Sequence, residues 1–144
     1  MSRDKIKTQQ KKRGIYHNRR RRCTGDHRAD LLRRLRLRAD HDRKRVEYLA
    51  SLGWEVDASS ETAKEIVLPE TLGGVLAEYN ELQKQQGFDL SQYCGEVCES
   101  YTYVLTSYPS GETGVIAQLF IYKGRVIGGD IHSAALGGFM HGLS

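Results

Sequence analysis

The stretch Val115-Ile-Ala-Gln-Leu-Phe-Ile-Tyr122-Lys-Gly-Arg125-Val-Ile-Gly-Gly-Asp-Ile131 decides the fold class of this chain. Val115 to Tyr122 is apolar at both parities, as a strand covered on both faces would be. Lys123-Gly124 between Tyr122 and Arg125 is the signature of a two-residue hairpin, so Arg125 to Ile131 should return as the next strand. Upstream of it Tyr101, Tyr103 and Leu105 alternate with Thr102, Val104 and Thr106, a β-branched and aromatic run of period two. Pro109-Ser110-Gly111 supplies the turn between them. The expectation is a three-stranded antiparallel β-meander.

Ahead of the meander the period is helical. Leu31, Leu32 and Leu35 fall at helical spacing, as do Val46, Leu49 and Ala50. Asp40 and Asp42 suit an N-cap, and Gly53 suits the left-handed position just past a C-terminus. This predicts a helix over about 42–52 that reaches back to about 28. Trp54 and Val56 follow, then a polar link from Asp57 to Ala63. Glu65 to Leu68 is a short strand stopped by Pro69. A second helix is expected over about 70–86, with Leu72, Val75, Leu76, Tyr79 and Leu82 as one stripe. Gly87 ends it, and Phe88 folds back as a capping contact. The class is α+β: N-terminal helix, short strand, second helix and meander, with the helices packed on one face of the sheet.

The chain has 144 residues, of which 39% are hydrophobic and 28% charged. That composition is globular. No apolar run approaches the roughly 20 residues of a membrane helix, so the sequence as it stands holds no transmembrane segment. Charge divides it in two. Residues 1–50 carry 18 of the 22 Lys+Arg and 6 of the 18 Asp+Glu, a balance of +12, while residues 51–144 balance at −8. The reading is a basic low-complexity arm over 1–41 and a small α+β domain over 42–144. Residues 1–26 offer little to bury and should be disordered. Three cysteines, Cys23, Cys94 and Cys98, make no disulfide framework. A Cys94–Cys98 bridge and two free thiols both stay open.

The loudest chemical pattern is the arm. Arg19, Arg20, Arg21 and Arg22 run together, and Arg33, Arg34, Arg36 and Arg38 follow on a helix. Such runs contact phosphate, in RNA, DNA or an anionic membrane surface. No zinc finger, recognition helix or stacking motif accompanies them. A third reading is that residues 1–43 translate a GC-rich frame out of register. An apolar open frame upstream of the Val46 codon would support it.

Cys94 and Cys98 lack the second pair of ligands a zinc site needs, because His132 and His141 lie far along the chain. No metal and no cofactor is expected. Asp130, His132 and His141 are the acid-base set of the body, and Asp130 and His132 project to one side of their strand. No motif places a Ser or Cys nucleophile beside them, so the set reads better as structural. Gly124, Gly128, Gly129, Gly137, Gly138 and Gly142 spell no phosphate-binding loop and read as turn and bulge glycines.

Several longer motifs stand out. They are Arg45-Val-Glu-Tyr-Leu49 with Gly53-Trp-Glu-Val56, Tyr79-Asn-Glu-Leu-Gln-Lys-Gln-Gln-Gly-Phe-Asp-Leu90, and Tyr101-Thr-Tyr103 with Tyr108-Pro109. Ile121 to Asp130 and Gly138-Phe-Met-His-Gly-Leu143 complete the set. Over about residues 44–143 the chain resembles a small bacterial family, domain of unknown function 4830, common in Firmicutes such as Clostridia. The family has no assigned activity, so the resemblance carries over no catalytic, cofactor or metal residue. Its motif residues here, of unknown role, are Trp54, Tyr101, Tyr103, Gly128, Gly129, Asp130, Phe139, Met140, His141 and Gly142.

Members usually carry an apolar N-terminal anchor, which implies a membrane-attached domain outside the cytoplasm. The basic residues 1–43 depart from that pattern, which strengthens the out-of-register reading. A genuine arm implies a cytoplasmic protein instead. The family pattern also often shows a Cys near the position of His132, which argues against a catalytic base there. The leading expectation is a non-enzymatic module on the envelope side of a Gram-positive bacterium, binding a protein or peptide partner through an exposed sheet edge. Tyr101, Tyr103, Tyr108 and Tyr122 offer an aromatic surface for it, although core and half-buried sheet positions suit them better. The rivals are a cytoplasmic nucleic-acid binder acting through the arm, and a small enzyme using Asp130 and His132.

Overall fold

The hairpin at Lys123-Gly124 forms as its residues dictate. Both have positive φ, 47° and 77°, which is what a type I′ turn requires. In the computed structural model, which describes residues 27–144, it joins β3 (Val115–Tyr122) to β4 (Arg125–Ser133). The expected disorder of residues 1–26 and the phosphate contacts at Arg19, Arg20, Arg21 and Arg22 lie outside the described residues. Before the hairpin come α1 (His27–Ser51), β1 (Val56–Val67), α2 (Val75–Gln85), a 3-10 turn (Leu90–Tyr93) and β2 (Val97–Leu105). After it comes β5 (Met140–His141). The sheet runs β1-β2-β3-β4-β5, antiparallel throughout.

The α+β class and the β2–β3–β4 meander stand, but the sheet has five strands and not three. The polar link and the short strand after it are one strand, β1, whose pairing with β2 is interrupted by a bulge between Asp57 and Thr62. An edge strand with most of its residues in solvent needs no apolar alternation, so its sequence reads as a loop. β5 is two residues long and sits among the C-terminal glycines. The second helix begins at Val75, not residue 70, because Gly74 takes a positive φ of 58° at its N-cap.

The helices also lie on opposite faces of the sheet rather than on one. Odd positions of β2 and β3, among them Tyr103, Leu105, Ala117, Leu119 and Ile121, pack with Val46, Leu49 and Leu52 of α1 and its C-terminal turn. Even positions, among them Cys98, Phe120 and Tyr122, pack together with Ile127 of β4 against Tyr79 of α2 and Leu90. The period-two pattern therefore supplies two cores. Tyr101, Tyr103 and Tyr108 join the first and Tyr122 the second, so these rings serve packing.

Packing of α1 begins at Asp42, and residues 27–41 are exposed along their whole length. A buried arginine fastens the packed half. Arg45 donates from Nε to the Tyr103 hydroxyl at 2.9 Å and from Nη2 to Glu61 at 3.1 Å and to Asp42. Its guanidinium lies 3.6 Å from the Tyr101 ring centroid, within reach of a cation–π contact. Burial alone lowers the tendency of Arg45 to stay charged, but the hydrogen bonds to Tyr103 and Glu61 outweigh it and the net shift is upward.

Candidate functional site

The Tyr79–Leu90 motif is a set of locks between α2 and β4. Tyr79 donates to Asp130. Asn80 donates to Asp89 at 3.0 Å and accepts the Leu90 amide at 2.7 Å. Gln83 Oε1 accepts the Gly129 amide at 2.8 Å. Gln86 donates to the Gly129 carbonyl at 3.1 Å and accepts the Leu143 amide at 2.7 Å. Gly129 lies two positions along β4 from Ile131, which pairs with His141. The Gln86 amide is thus spliced between β4 and the C-terminal segment where the ladder would otherwise continue.

Gly128 and Gly142 leave room for these amides, since a Cβ at Gly142 would lie 2.8 Å from the Gln86 amide carbon, and Gly129 lets β4 approach β3. A Cβ at Gly129 would lie 2.5 Å from the Gln118 carbonyl oxygen, and one at Gly128 would lie 3.0 Å from Gln83 Oε1. The amide nitrogen of Gln83 remains buried without a partner, an uncompensated donor beside the lock.

Asp130 is fully buried, at 0% exposure. One carboxylate oxygen takes the Tyr79 hydroxyl and the other takes His132 Nδ1 at 2.6 Å. An aspartate carboxylate only accepts, so Nδ1 of His132 is the donor of this pair. Among the described residues Nε2 has no hydrogen-bond partner. Burial, then the Asp130 charge, pushes the Tyr79 hydroxyl well above its ordinary range and keeps it a donor.

Of the expected acid-base set, the structure joins Asp130 and His132 and sends His141 to the opposite face. His141 Nδ1 donates to the Gly142 carbonyl, and Nε2 meets the Tyr108 hydroxyl at 2.9 Å. With both nitrogens engaged it belongs to a stack of Trp54, Tyr108 and Phe139, whose ring centroids lie 5.0 to 5.9 Å apart. The Trp54 indole N–H donates to the Leu143 carbonyl. These rings and Gly142, which lies against Gln86, hold the C-terminal segment down. Cys94 and Cys98 are free thiols, and burial pushes the Cys98 thiol up.

Beside the Asp130–His132 pair the α2 face opens into a groove of about 440 Å³. Tyr79, Leu82, Gln118 and Phe120 line it, with Val75, Leu76 and Met140 at its rim. Val75 is 80% exposed, Leu76 42% and Met140 52%. Three apolar side chains left in water around one opening mark an interaction site more often than a random surface. Met140 pairs across β5–β4 with His132 and shares its face. Val75 and Leu76 were legible as helix stripe, and Met140 as a motif residue. Their convergence was not, because it depends on β5.

Among the described residues no group of three or more His, Cys, Asp and Glu is placed to hold a metal ion. None of the described helices is long and apolar enough to cross a membrane. The family model described as Domain of unknown function (DUF4830) matches residues 48–131, from the packed half of α1 to β4. No curated protein and no solved structure matches the chain.

Proposed function

Because the chain belongs to the domain of unknown function 4830 family, we propose that it is a non-enzymatic interaction module whose α2-side groove takes an apolar segment of a protein or peptide partner. The observation that carries this reading is the rim: Val75, Leu76 and Met140 stay in solvent around one groove. Three locks hold α2, which supplies Tyr79 and Leu82 to the groove, against β4 and the C-terminal segment: Tyr79 to Asp130, Gln83 to Gly129 and Gln86 to Leu143. A pre-formed pocket loses little entropy on binding. The open edge of β1 is the weaker alternative, because it carries the bulge together with Lys64 and Glu65, features that discourage strand addition. An envelope location on a Gram-positive bacterium is part of the proposal and rests on the family resemblance alone.

The enzymatic reading keeps one observation in its favour, the free Nε2 of a histidine oriented by a buried aspartate. Against it, no serine or cysteine among the described residues hydrogen-bonds to His132.

The test is selection of phage-displayed peptides on the full chain. Selected peptides should carry an apolar anchor and lose at least about tenfold in affinity for Leu76→Glu and Met140→Glu. Both variants should melt as the wild type does, since both side chains are exposed. Peptides that bind both variants undiminished would overturn the groove.

A further inference from the structure

A second surface lies outside the family match, on the half of α1 whose residues are all exposed. Residues 27–41 extend about 22 Å along a helix axis. At about 100° per residue, Leu31, Leu32, Leu35 and Ala39 share an arc of about 100° with Arg28 at its N-terminal end, and Leu37 lies outside it. The three leucines are 50–56% exposed. Arg34 and Arg38 fall on one flank of that arc, and Arg36 and Arg43 on the other. Residues 27–44 hold seven Lys+Arg against three Asp, so the segment is net +4. The carboxylates near it are used in exposed pairs, Arg34 with Asp30 at 2.9 Å and Arg43 with Asp40 at 3.1 Å. Among the described residues Arg33, Arg36 and Arg38 have no ion pair.

An apolar stripe between arginine flanks on a projecting helix fits one kind of surface. A nucleic acid would use the arginines and leave the leucines in water. A second copy of the helix would cover the leucines but bring like charges together. A bilayer with anionic headgroups uses both: the leucines enter the acyl boundary while the arginine stems reach up to phosphate. We propose that residues 27–41 of α1 form an interfacial helix that lays the domain against an anionic membrane surface. The groove on the α2 face does not depend on this surface, but a native helix here would replace the envelope location with the cytoplasmic side of the membrane.

The test is co-sedimentation of the full chain with vesicles of phosphatidylcholine, with and without phosphatidylglycerol. The triple variant Leu31→Ser/Leu32→Ser/Leu35→Ser keeps every charge, including those of residues 1–26, and alters only exposed side chains. The wild type should partition onto the anionic vesicles and much less onto neutral ones. The triple variant should lose roughly tenfold to a hundredfold in partitioning, with unchanged melting. Equal partitioning of the two proteins would overturn the proposal, because charge alone would then account for binding. It would also fall if the wild type ignored vesicles while binding RNA at the same salt, or if it formed a dimer through Leu31 and Leu35 without binding lipid.

Discussion

The α1 face of the sheet buries an arginine among Tyr103, Tyr101 and Glu61, whereas the α2 face buries an aspartate between Tyr79 and His132. Each cluster joins a helix to the sheet through a charge-assisted hydrogen bond to a tyrosine. They differ in what remains. Around Arg45 the groups pair with one another: Tyr103 donates to Glu61 while it accepts from Arg45. Around Asp130 one ring nitrogen of His132 is left over, on the sheet face that carries the groove. A cluster that closes on itself fastens the fold, and a cluster with an atom to spare beside an open groove is a candidate for recognition.

The largest expected effect tests the fastener. Arg45→Met keeps much of the side chain's length and removes its charge, leaving Glu61 partly buried and unpaired. Breaking such a pair from one side costs about 3–5 kcal/mol, to be read from urea unfolding monitored at Trp54. A cost below about 1 kcal/mol, the range of an exposed pair, would break the comparison, because Val46, Leu49 and Leu52 would then hold α1 unaided.

A smaller effect sharpens the other face. Gln86→Leu removes the amide spliced between Gly129 and Leu143, at a cost of about 1–3 kcal/mol for the backbone groups left without partners. The loss should be local. Hydrogen exchange of the Leu143 amide should accelerate while that of Leu119, in the middle of β3, keeps its protection. Equal acceleration at both positions would show that the two faces unfold as one unit.

How much of this was legible in the sequence follows from where each signal lives. The β2–β4 meander was readable because Tyr101, Tyr103 and Leu105 alternate and because Lys123-Gly124 names its own turn. β1 was not, since Ser59 and Ser60 lie in its bulge, held to Asp57, and Thr62 stands at the edge of the sheet opposite Thr102 with no apolar pattern of its own. The opposite placement of the helices was implicit in Val115–Tyr122, whose two apolar faces each need a cover. Asp130 and His132 were found together because they are two residues apart on one strand. Tyr79 was missed because it arrives from 51 residues away. Gln83 and Gln86 look like solvated helix residues, yet Gln83 is fully buried. Gly128 and Gly142 mark where the two amides lie, since a side chain at Gly128 would run into Gln83 and one at Gly142 into Gln86.

The smallest expected effect concerns acid. Asp89 caps the 3-10 turn on the α2 side, accepting the Ser91 amide at 3.0 Å, the Ser91 hydroxyl at 2.6 Å and the Asn80 amide. The Ser91 and Asn80 hydrogen bonds hold its carboxyl below the usual carboxylate range, at about 2. A carboxylate depressed in the folded state contributes stability that is complete above its unfolded value near 3.8 and disappears as pH falls through about 2. Asp57 is depressed in the same direction by Ser59, so the wild-type acid limb contains both groups. Asp89→Asn keeps an acceptor for the Ser91 amide and loses the titration. Its melting temperature should lie close to that of the wild type at low pH, with the gap widening as pH rises from about 2 to about 4 and constant thereafter. Parallel melting curves across that window would show that the charge of Asp89 contributes nothing. The α2 lock would then rest on its neutral amides, whereas the α1 cluster keeps Asp42 and Glu61 around Arg45.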